Sequence, residues 1–181
     1  MKTIYHVSKT ENLKVLEPRV CSHQTPYVYA SYKLETSLLF GGGLWSDWDF
    51  IYKRNYETQE LKFSETYPGA FEQVFKNKSC ILYELENSGF EQGKTNMWDE
   101  IVSTHPTKVL KETKIDDLYK EIVKLASKGK ITLETYNDTP EYKQKVKAHI
   151  LNLAKYSNIY KQHNTPLLLK HFESLIKEKN K

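Results

Sequence analysis

The apolar residues of this chain change period once, and that change constrains the fold more than any motif does. Across residues 3–112 they fall in short runs of strand character, punctuated by glycine, proline, asparagine and serine. Across residues 113–181 they recur every three to four positions, as on the buried face of a helix. Strands followed by helices predict an α+β fold.

Within the strand-rich part, residues 3–7 and 26–31 read as strands, with a polar turn, including about one helical turn, closed by Pro18 between them. Leu34, Leu38 and Leu39 take helical spacing, and the glycines at 41–43 stop that helix. Residues 48–54 and 59–65 read as an antiparallel pair, Pro68 opens a short helix over 68–75, and residues 80–86 form a strand. A loop with two glycines spans 87–98, and residues 100–111 read as two short strands kinked at Pro106. In the helical part, Ile115, Leu118, Tyr119, Ile122 and Leu125 share one face. Thr139-Pro140 supplies an N-cap and a first-turn proline ahead of Tyr142, Val146, Ile150 and Leu153. Thr165-Pro166 repeats the device ahead of Leu169, Phe172 and Ile176. With 127–139 as a gap, the expected domains are a core over 1–126 and a helical C-terminal extension over 127–181, packed on that core.

Several function classes drop out. No apolar run approaches the roughly 20 residues of a membrane span, and the N-terminus lacks the apolar stretch of a signal peptide, so no membrane partner and a cytoplasmic location are expected. Cys21 and Cys80 lack metal-type spacing and read as ordinary thiols. The histidines at 6, 23, 105, 149, 163 and 171 form no HExxH pair, so no metal site is expected. A phosphate-binding loop ending in Gly-Lys-Ser/Thr is missing, the 41–43 glycines lack the dinucleotide spacing, and no Gly-x-Ser-x-Gly elbow is present. Charge is uneven: residues 1–100 carry 11 basic against 14 acidic side chains, and residues 101–181 carry 16 lysines against 9 acids. That lysine-rich half is either a solvated surface or an attractor for nucleic acid or another anionic partner.

Three segments retain polar residues that a core does not require. In "IYHVS", His6 ends the first strand, where it is a satisfied surface residue, a metal ligand or part of a binding site. In "VYASYKLETSLLF", Tyr29 leads through small residues into a helix carrying Ser37. In "WDEIVSTHP", Glu100 begins an apolar strand. Their order and spacing resemble the diphtheria-toxin/poly(ADP-ribose) polymerase branch of the ADP-ribosyltransferase superfamily, over residues 3–112.

The resemblance implies split antiparallel β-sheets with flanking helices, and NAD as the substrate. It implies that His6 donates a hydrogen bond to the adenosine ribose and that Glu100 holds the nicotinamide ribose and stabilises oxocarbenium-like charge as nicotinamide leaves. Tyr29 would stack on the nicotinamide ring, with Phe40 in the place of a second stacking tyrosine. Ser37 would hydrogen-bond the carboxamide, as would the backbone at Val7, which stands where the family usually has glycine. Arg19 in "LEPR" suits a pyrophosphate or a phosphorylated substrate through its bidentate guanidinium, or else a surface ion pair with Glu17 or another carboxylate. The implied activity is NAD-dependent ADP-ribosyl transfer to an unknown acceptor (protein, nucleic acid or small molecule) or to water. Two alternatives stay open: an NAD-dependent RNA 2′-phosphotransferase, a branch that relies on several arginines where this chain has only Arg19 and Arg54, and a catalytically silent interaction module of the same fold. In the family the loop before the glutamate often selects the acceptor; here that is 87–98, with Glu91, Gln92, Lys94 and Trp98.

Overall fold

In the computed structural model the described residues are 3–21, 24–42, 46–55, 57–58, 60–95, 99–162 and 164–179. His23, Gly43, Trp98 and His163, named above, lie outside them. In chain order the elements are β1 (Ile4–Ser8), β2 (Val15–Leu16), β3 (Val28–Ser31), α1 (Leu34–Phe40), β4 (Phe50–Arg54), β5 (Leu61–Glu65), α2 (Ala70–Phe75), β6 (Cys80–Leu85), β7 (Glu91–Gln92), β8 (Glu100–Ser103), β9 (Thr107–Ile115), α3 (Leu118–Ser127), β10 (Ile131–Glu134), α4 (Pro140–Tyr156) and α5 (Thr165–Lys179). A 3-10 turn, Ile159–Lys161, joins the last two helices. The class is α+β, as the change of period predicts.

Two bodies emerge, and each is discontinuous in sequence: Met1–Gly42 with Asn77–Ile122, and Gly43–Lys76 with Val123–Lys181. This grouping cuts across the boundary expected at 126/127. Residues 43–76 join the C-terminal part because β10 pairs with β5 along its whole length.

The first body is a seven-stranded antiparallel sheet in the order β2-β9-β6-β1-β3-β8-β7. Period-two alternation sends Ile4, Val28, Ala30, Ile81, Tyr83, Leu85 and Ile101 into one buried cluster. The Tyr83 hydroxyl donates to the Thr10 carbonyl at 2.8 Å and accepts from the Leu13 amide at 3.3 Å, which ties down the polar turn after β1. Helix α1 lies against β1 and β3. It ends at Gly41, where a Cβ would stand 2.7 Å from the Cys80 sulfur, so close approach requires glycine there. Lys9 and Lys78 donate to the carbonyls of Gly41 and Gly42 at 2.9 and 2.7 Å, placing positive charge at the helix C-terminus.

Local reading locates these elements better than it pairs them. The break at Pro106 is real, but the strands on either side are not partners: β8 lies between β3 and β7, and β9 between β6 and β2. β9 also continues to Ile115, which therefore closes a strand instead of opening a helical face. α3 starts at Leu118, its first turn capped by Asp117, whose Oδ1 accepts from the Lys120 amide at 3.0 Å. The two-residue edge strands β2 and β7 fall in segments read as turn and loop.

In the second body β4 runs antiparallel to β5, as expected, and β10 runs parallel to β5. The C-terminal extension is therefore not purely helical: the 127–139 gap contains a strand. Phe50 is fully buried and stacks on Phe71 and Phe75 at centroid distances of 4.9 and 5.8 Å. Thr139 caps α4 as predicted, accepting from the Tyr142 amide at 3.3 Å. At α5 the device shifts by one residue. Thr165 is already helical and its hydroxyl donates to the Ile159 carbonyl at 2.9 Å. The Asn164 carbonyl instead takes the first helical bond, from the Leu168 amide at 3.0 Å. Leu168, one position before the expected Leu169, is the leucine fully buried.

Candidate functional site

The site is built around a seam. β1 pairs with β6 over all five of its residues, and β3 pairs with β8 over all four of its own. β1 and β3, however, meet in one registered pair, Tyr5 with Ser31. Beyond it the ladder is replaced by a side chain. The Nδ1 of His6 lies 2.7 Å from the Tyr29 carbonyl oxygen, and because a carbonyl only accepts, Nδ1 carries the proton. Burial lowers the pKa of His6, against the opposing effect of the Tyr29 carbonyl, and the Arg19 charge lowers it further. The imidazole is thus neutral near pH 7 and offers Nε2 as a lone pair. Sequence reasoning made His6 a donor to a ligand hydroxyl; with its proton given to Tyr29, it is an acceptor.

A pH dependence follows with a definite sign. The folded-state pKa of His6 lies below the unfolded value of about 6.5. Its contribution to stability is therefore complete above pH 6.5 and is lost as pH falls from there through the folded pKa. Thermal melts between pH 7.5 and 5.5 are expected to show a steeper acid loss for the native chain than for His6→Gln. Parallel slopes would contradict the assignment.

The row through the seam continues sideways. Ser31 pairs with Glu100 across β3 and β8, so Tyr5, Ser31 and Glu100 stand side by side, with the outer two about 10 Å apart over two strand spacings. Tyr29, two residues from Ser31, shares the face of Ser31 and Glu100, whereas strand alternation puts His6 in phase with the core residue Ile4. The structure thus brings Tyr29 and Glu100 to one face and holds the His6 ring against the Tyr29 carbonyl, in phase with the other face. Ser37, 4% exposed on α1, donates to the Tyr5 carbonyl at 3.0 Å. Its proton is committed, and only its lone pairs remain for a ligand. Ser37→Ala would leave the Tyr5 carbonyl without this donor and is expected to cost about 1 kcal/mol, measurable by urea denaturation.

The remaining candidates are more peripheral. Val7 is half-buried opposite Leu82, on the Tyr5 side of β1. Phe40 ends α1 and is 37% exposed. Arg19 is exposed and exchanges both backbone hydrogen bonds with Tyr27, at 3.0 and 3.1 Å. Tyr27 in turn meets Tyr29 edge-on at 5.9 Å. Among the described residues no ion pair joins Arg19 to Glu17. Part of the 87–98 loop is strand, with β7 pairing Glu91 to Val102 and Gln92 to Ile101, and Lys94 bridges to Glu91 at 3.0 Å.

Two positioning elements were missed in the sequence. Ser31 is buried in the middle of the row and accepts from the Lys33 amide at 3.0 Å, turning the chain into α1. Its signal was the two-residue spacing from Tyr29. Thr36 donates to Asp99 at 3.0 Å, fastening α1 to the residue before Glu100; no local pattern announces that bond. Among the described residues no group of three or more His, Cys, Asp or Glu is arranged to hold a metal ion. No described helix is long and apolar enough to cross a membrane. Comparison of the chain with protein-family models, curated proteins and solved structures finds no match.

Proposed function

We propose that the first body binds NAD and cleaves its nicotinamide–ribose bond, passing ADP-ribose to an acceptor or to water. One observation supports the reading: β1, β3 and β8, which carry His6, Tyr29 and Glu100, are consecutive strands of one sheet, and the Tyr29 carbonyl holds the Nδ1 proton of His6 and leaves Nε2 as an acceptor. His6 Nε2 would accept from a hydroxyl of the adenosine ribose. Ser37 Oγ would accept from the carboxamide N–H, beside the Val7 backbone, while Tyr29 stacks on the nicotinamide ring and Phe40 closes its edge. Arg19 would meet the pyrophosphate.

The chemistry is a heterolysis. The electron pair of the C–N bond leaves with nicotinamide, and positive charge develops across the ribose C1 and ring oxygen. The Glu100 carboxylate stabilises that charge. The acceptor oxygen or water then bonds to C1 and loses its proton to solvent. Incubation with NAD, with nicotinamide quantified by chromatography and NAD binding by calorimetry, tests the reading. Saturable binding with nicotinamide release supports it. Binding without release assigns a silent module, and no binding by a folded sample overturns it. Removal of a 2′-phosphate from a short RNA would instead assign the phosphotransferase activity.

A further inference from the structure

The second body contains a cavity of about 250 Å³ walled by α4, α5 and the turn after β5. Aromatic rings form much of its lining. His171 and Tyr67 stack with centroids 4.3 Å apart and planes 11° from parallel, and Phe172 meets Tyr67 edge-on at 6.0 Å. The Tyr67 hydroxyl donates to Asp49 Oδ1 at 2.9 Å, which fixes that ring in place. His171 Nε2 is buried with no hydrogen-bond partner, a condition that native interiors rarely leave unexplained. Burial lowers the His171 pKa and the Lys170 charge adds to this, so the imidazole brings no charge.

The charge of the lining comes from α4. Lys143 and Lys147 stand one turn apart on the cavity wall, and among the described residues no acidic side chain lines it. Lys143 is already paired with Asp138 at 3.0 Å, whereas among the described residues Lys147 makes no ion pair. One uncompensated positive charge matches a monoanion. A lining that includes Tyr67, Tyr136, His171 and Phe172 matches a flat ring, and a volume equal to about eight waters admits one or two fused rings.

We propose that this cavity binds a small planar aromatic carboxylate, its carboxylate at Lys147 and its ring among the aromatic side chains of the lining. All of these residues belong to the second body, so the inference stands independently of the NAD reading. The full chain is titrated calorimetrically with 2-naphthoate, with cyclohexanecarboxylate and 2-naphthamide as non-aromatic and uncharged controls. Saturable one-site binding is expected for 2-naphthoate, with both controls weaker by about tenfold or more. Lys147→Met keeps the side-chain stem on an exposed position, and should weaken 2-naphthoate by about tenfold or more without changing the melting temperature. No saturable 2-naphthoate binding, equal binding of either control, or unchanged affinity in Lys147→Met overturns the proposal.

Discussion

Glu100→Gln is expected to slow nicotinamide release from NAD by about 10²–10³-fold, with NAD affinity and thermal stability close to those of the native chain. The reasoning separates shape from charge. Glutamine keeps the length of the side chain and can still hydrogen-bond a ribose hydroxyl, so ground-state binding changes little. It cannot oppose the positive charge that appears only as the glycosidic bond breaks, so the loss falls on turnover. The strand register is kept because the β3–β8 ladder, with Glu100 opposite Ser31, is made by backbone groups, and glutamine is isosteric with glutamate. Glu100→Asp, which withdraws the carboxylate by one methylene, is expected to fall between the two. Undiminished turnover in Glu100→Gln would remove this residue from the proposed role, even if NAD binding itself persisted.

The largest expected loss of stability is at Phe50. Phe50→Ala should cost about 3–5 kcal/mol, read from chemical denaturation as a shift of the unfolding midpoint. Phe50 is fully buried, stacked on two rings of α2 and edge-on to Phe63 at 6.0 Å, so truncation opens a cavity that rigid neighbours cannot fill. A loss of that size is a large fraction of the total stability of a domain. A cost under about 1 kcal/mol would show that the ring cluster does not hold β4 and α2 together.

Much of the secondary structure was legible because its causes are local. Alternation marks β1, β3 and β6, and Thr139-Pro140 marks the start of α4 because a cap and a proline act within one turn. β10 was not legible. It is four residues long, follows the turn at Gly129 with φ of +66°, and its partner β5 lies some seventy residues earlier in the chain. Ile131 becomes buried only when β5 is already beside it. The same holds for β8 and β9: Pro106 marks the break between them, but which neighbours each strand takes is settled by the whole sheet.

The candidate site divides along similar lines. Order and residue type picked out His6, Tyr29, Ser37 and Glu100; the structure puts Tyr29 and Glu100 on one face of β3 and β8, His6 in phase with the opposite face of β1, and Ser37 on α1 against the Tyr5 carbonyl. What order could not give is the direction of each hydrogen bond. His6 is an acceptor because a carbonyl on another strand takes its proton, and Ser37 is limited to its lone pairs because the Tyr5 carbonyl takes the other. By itself, then, the sequence determined the α+β class and the position of most strands and helices, since periodicity, caps and residue type act within a few positions. The tertiary structure alone decided the strand partners, the grouping of the chain into two bodies each discontinuous in sequence, and the protonation of the seam, because each depends on groups brought together from distant parts of the chain.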